Sequence, residues 1–136
     1  MTYRLMFILN AIVVAAFGVL FLAVPESALT LFDTETYAAT VFVARFMGAG
    51  LLLAGMFIWL AKDLIEPRTE RTMVIALLTS SVVGFVLTLF GIVGVHVIRA
   101  NGWVLLVIHI IFVLGYGYLL SGVAIVPKSQ QQYRQS

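Results

Sequence analysis

Cysteine is absent from this sequence. That excludes disulfides, thiolate metal sites and dithiol redox chemistry, and it leaves the redox compartment open. Charge is scarce: 10% of the residues are charged, so the net charge of +2 rests on few groups. No basic cluster with interleaved aromatics occurs, which excludes the usual signature of nucleic-acid binding. Every carboxylate falls between the apolar runs, and none pairs with a His or Ser at helical spacing. A phosphate-cradling glycine loop, an HExxH pair and other zinc spacings are all missing, so no enzyme template fits and neither catalytic residues nor a metal site are expected. Proline is limited to Pro25, Pro67 and Pro127, all outside the apolar runs.

What remains is hydrophobic. Apolar residues make up 62% of the chain, and the mean hydropathy is +1.12. A soluble domain needs a polar exterior that this composition does not supply, so the chain reads as an all-α, single-domain integral membrane protein. Four apolar segments set its predicted spans: Leu5–Val24, Thr36–Ala61, Met73–Ile98 and Trp103–Val126. About 20 residues at about 1.5 Å each cross the roughly 30 Å hydrocarbon core. The first run has a thin charged flank and no small-x-small cleavage site, since Phe21 and Ala23 precede Val24 and Pro25; it is expected to be a retained helix. Within the connector 25–36, Ala28, Leu29 and Phe32 suggest a short interfacial helix, and Asp33 or Thr34 is suited to cap the second span. The segment 62–72 reads as a charged loop with Pro67 in its middle, 99–102 as a tight turn, and 128–136 as a polar tail.

Basic residues orient the four spans. Arg4, Lys62, Arg68, Arg71, Lys128 and Arg134 fall on one side of an alternating four-helix bundle, and Arg99 alone falls on the other. The positive-inside rule then places both termini in the cytoplasm, N-in and C-in. Trp59 and Trp103 land near opposite interfaces, as aromatic belts require.

Arg45 is the one Arg or Lys inside a span. At about 100° per residue it shares a face with Gly48, Leu52, Gly55 and Trp59. Two readings compete: a guanidinium snorkelling to headgroups, or an internal charge paired with Glu26, Asp33 or Glu35 of the outer connector. The shared glycine face leads to the expectation that Arg45 bonds an acid or a carbonyl of that connector and pins it across the bundle mouth. Each span also carries two small residues seven apart, Ala11/Gly18, Gly48/Gly55, Gly84/Gly91 and Gly115/Gly122. Two turns of a left-handed coil match that spacing, so these residues are expected to mark helix-packing seams crossing near about +20°.

The third run contains a polar stripe, with Ser81, Phe85, Thr88, Ile92 and His96 within about 80° of one another. Hydroxyls in membrane helices more often bond the preceding turn or a neighbouring helix than a ligand, so this stripe reads first as glue. His96 and His109 are candidates for cofactor binding, because two facing histidines can hold a haem and one can ligate a chlorophyll magnesium. Their unequal depths argue against the pair, and a neutral histidine bonded to backbone or headgroup is the plainer reading.

The proline after the first span, Ala44-Arg45 followed by Gly48 and Gly55, Asn101-Gly102-Trp103, and Gly115-Tyr116-Gly117-Tyr118 together resemble small bacterial four-helix membrane proteins, grouped with the DoxX-like proteins. The resemblance covers nearly the whole chain. It implies a four-helix bundle in a bacterial inner membrane and no known chemistry; the cysteine pair of disulfide-handling four-helix relatives is absent here. The leading expectation is a non-catalytic accessory or scaffolding subunit bound to other integral membrane subunits of a larger complex, respiratory or photosynthetic. The alternative is a stand-alone binder of a lipid, quinone or pigment, with Arg45 and the Ser81/Thr88 stripe lining the site. A third reading, a small transporter, calls for two more inward charges.

Overall fold

A computed structural model describes residues 3–63 and 66–123. Helix α1 (Tyr3–Ala23) is followed by a short α2 (Pro25–Leu31), then α3 (Ala38–Ala61), α4 (Pro67–Leu89) and α5 (Gly102–Val123). The four long helices are each long and apolar enough to cross a membrane, and together they form an all-α four-helix bundle. The expected end of the fourth span at Val126 and the polar tail lie outside the described residues.

Proline sets two of the starts. Pro25 and Pro67 stand in the first turns of α2 and α4, where a missing N–H costs nothing and the fixed φ is already helical. Pro67 therefore opens a helix rather than sitting in the middle of a loop. The third span begins before Met73, with Arg68, Glu70 and Arg71 on its first turns. Its far end is also corrected. The α-helix stops at Leu89, a π turn runs over Phe90–Gly94, and Val95 to Ala100 leave the helix. The Val95 N–H donates to the Phe90 carbonyl, and the Val97 and Ile98 N–H groups both donate to Gly91. The carbonyls of the last turn are thus satisfied by chain that folds back rather than by more helix.

The longest interface is between α1 and α3, and the second joins α4 to α5. The α1–α3 seam is a backbone contact. A methyl group at Gly48 would stand 2.5 Å from the Leu22 nitrogen, and one at Gly18 would stand 2.7 Å from the Leu52 nitrogen. Gly55 lies against Ala11 and Ala15. Small residues on both helices let them approach this closely.

Two buried clusters join the helices. At the end where α1 begins and α5 finishes, Met6 and Phe7 of α1 gather with Ala61, Val74, Phe112, Tyr116 and Leu119. At the opposite end, Phe21, Ala28, Leu29, Phe32 and Ala44 form the second cluster, with Ile98 and Leu105 packed against it. The short helix expected after the first span is present as α2, and its apolar side, Ala28 and Leu29, packs on the bundle end as a lid.

Candidate functional site

The lid end is the most elaborated part of the molecule. The stretch after α2 and the loop before α5 are hydrogen-bonded to each other. The Arg99 and Ala100 N–H groups donate to the Phe32 carbonyl at 3.0 and 3.2 Å. Thr34 Oγ1 donates to the Val97 carbonyl at 2.9 Å, and Asn101 Nδ2 donates to the Leu31 carbonyl at 2.7 Å. The Arg99 guanidinium bonds Glu35 Oε1 at 3.0 Å. Bonding to Arg99, with help from Tyr37, holds the Glu35 carboxyl below its ordinary range. Among the described residues three non-glycine residues have positive φ, and all lie in this cap: Asp33 at 49°, His96 at 51° and Asn101 at 53°. Left-handed backbone at such residues persists only where surrounding contacts dictate it, and the cross-loop bonds supply them.

This arrangement corrects two expectations. The residue that pins the connector is Arg99, not Arg45. Neither Asp33 nor Thr34 caps the following helix; Tyr37 occupies the N-cap without a side-chain bond, and the Thr34 hydroxyl is turned to Val97. Among the described residues Arg45 has no ion pair. It is exposed and lines a wide recess of about 460 Å³ together with Glu26, Thr36, Ala38, Val41 and Phe42. The face of α3 that is buried carries Ala44, Gly48 and Gly55, and Arg45 sits at its border.

The polar stripe of the third span forms part of the buried face of α4. Ser81 and Thr88 are buried, and Ser81 Oγ donates to the Leu77 carbonyl one turn back at 2.8 Å. His96 has left that stripe; it sits in the cap loop and is exposed, because the chain abandons the helix at Gly94. His109 is half-buried, with its imidazole against Gly84, where an added methyl would come 2.5 Å from Nε2. About ten residues of helix, roughly 15 Å, separate the level of Gly84 from that of His96, so the two histidines do not meet. Among the described residues no group of three His, Asp or Glu side chains is placed to hold a metal.

The remaining glycines divide. Gly91 is buried by Ile98 of the returning loop rather than by a neighbouring helix, Gly115 is buried, and Gly122 faces open space. Sequence reasoning overlooked a polar pair in the core. Asn10 Nδ2 donates to Tyr116 Oη at 2.6 Å, linking α1 to α5 with both residues almost fully buried. The signal was present: Asn10 is the lone polar residue of the first run, and such a residue needs a partner from another span. No family model, curated protein or solved structure matches the chain.

Proposed function

We propose that this chain is a non-catalytic accessory or scaffolding subunit of a larger assembly in a bacterial inner membrane, with its termini cytoplasmic and its cap outside. The reading is carried by the outer face of α3. Phe42, Phe46, Leu53, Phe57 and Leu60 fall within about 60° of one another around that helix. Phe42, Phe46 and Phe57 are 70%, 76% and 63% exposed, on the side opposite the Gly48/Gly55 seam. Phe46, Leu53 and Leu60 repeat every seven residues, the spacing of a left-handed helix pair. The stripe therefore has the pattern of a seam whose second helix comes from another subunit, and α3 packs chiefly on α1 within its own chain. The orientation rests on the basic residues at the terminal end, and the DoxX-like kinship is part of the same proposal.

Purification in mild detergent tests it. Membrane proteins in fixed ratio should accompany the wild type and be lost from a Phe46→Ala/Phe57→Ala variant that still folds. A preparation holding only this chain, with bound lipid or a visible absorbance, would replace the reading with that of a stand-alone lipid, quinone or pigment binder.

A further inference from the structure

We propose that the recess beside Arg45 binds the headgroup of a zwitterionic aminophospholipid, with the phosphate on Arg45 and the ammonium on Glu26. The recess has one cation, one anion and one hydroxyl on its walls, from Arg45, Glu26 and Thr36, and two larger apolar side chains, Val41 and Phe42. Arg45 and Glu26 border the same hollow, yet no ion pair within 4.0 Å joins them. Two opposite charges that share a concavity without neutralising each other match a ligand that carries both signs.

Their height in the bilayer identifies the ligand as a lipid. The α1–α3 contacts place Ala15 opposite Gly55, Gly18 opposite Leu52 and Leu22 opposite Gly48. Continued for three more residues, this antiparallel register brings Pro25 level with Arg45. Helix α1 has 21 residues, about 31 Å of rise, which is the thickness of the hydrocarbon core. Its end therefore marks the boundary where phosphates lie, and Arg45 and Glu26 both sit at that boundary. A headgroup whose phosphate-to-nitrogen dipole lies along the membrane surface meets them side by side. Val41 and Phe42 give the recess an apolar wall for the start of the acyl chains.

The donor and acceptor inventory sets the preference among lipids. A guanidinium presents two parallel N–H donors to a phosphate. A primary ammonium has three N–H donors for the Glu26 carboxylate and the Thr36 hydroxyl. A trimethylammonium has none, and a glycerol headgroup has no cation for Glu26.

The test uses the full chain reconstituted in nanodiscs of equal parts phosphatidylethanolamine, phosphatidylcholine and phosphatidylglycerol, followed by release into mild detergent and native mass spectrometry. Wild type should retain phosphatidylethanolamine several-fold over the other two. Glu26→Gln should erase that preference, and Arg45→Gln should reduce retention of all three. Excess free phosphoethanolamine should not displace the bound lipid. Equal retention of the three lipids by wild type, a preference that survives Glu26→Gln, or displacement by the soluble headgroup would each overturn the assignment. The Phe46→Ala/Phe57→Ala variant should keep the lipid preference, which separates this site from the proposed subunit seam.

Discussion

Between α1 and α3, the atoms that meet the glycines are mainly backbone: the Leu22 nitrogen at Gly48, the Leu52 nitrogen at Gly18, and Ala15 at Gly55. Between α4 and α5, the atom nearest Gly84 is the imidazole of His109. A side chain can swing away from a new methyl group, whereas a helix backbone has to move as a unit. The two seams carry the same small-residue pattern in the sequence, but only the first uses it to bring backbones together. The first is the rigid half of the bundle; the second is adjustable.

The largest effect should come from breaking the first seam. Gly48→Ala places a methyl 2.5 Å from Leu22 N and 2.8 Å from the Phe21 carbonyl carbon, and the helices must part to admit it, a loss of about 1–3 kcal/mol. Gly84→Ala should be much milder, because His109 gives way. Gly50, where an added methyl would meet nothing within 4 Å, should accept alanine with a gain of about 0.5–1 kcal/mol from helix propensity. Thermal unfolding of the three variants in one detergent ranks them; equal losses at Gly48 and Gly84 would erase the distinction between the seams.

A middle-sized effect is expected where the two halves are joined. Tyr116→Phe removes the acceptor of the Asn10 amide inside the core. The cost should be about 1–2 kcal/mol, the scale of an interhelical hydrogen bond in membrane peptides. Adding Asn10→Leu should recover part of that loss, since two apolar partners leave no stranded polar group. A double-mutant cycle reads the coupling directly.

The four spans were legible because a continuous apolar run of about 20 residues admits little but a membrane helix. The lid after the first span was legible from Pro25, Ala28 and Leu29. The helix end at Gly94 was not. Ile98 seals Gly91 by a contact from downstream chain, and nothing in the hydropathy of residues 90–98 distinguishes that fold-back from more helix. The same gap hid the role of Arg99. Its pairing with Glu35 depends on two loops meeting at a distance of 64 residues, whereas Arg45 drew notice because a charge inside an apolar run is visible in one dimension.

The smallest effect belongs to the cap. Arg99 depresses the Glu35 pKa below its ordinary 4.5. A depressed carboxylate contributes stability above its unfolded value and loses it as pH falls through the folded value. The melting temperatures of wild type and Glu35→Gln should therefore differ slightly near neutral pH and converge under acid below 4.5. High salt should shrink the neutral-pH gap as well, because the pair is exposed. A gap that widened on acidification would contradict the pairing.

The close α1–α3 register is tested most directly by cross-linking, made clean by the absence of native cysteine. Ala15 Cβ lies 3.1 Å from where a Gly55 side chain would begin, close to the roughly 3.5–4.5 Å Cβ separation of a disulfide. An Ala15→Cys/Gly55→Cys pair in native membranes should oxidise within one chain to high yield. An Ala15→Cys/Gly50→Cys pair should not, since Gly50 faces away from every neighbour. Equal yields, or a higher yield from the second pair, would contradict the register and the backbone seam built on it.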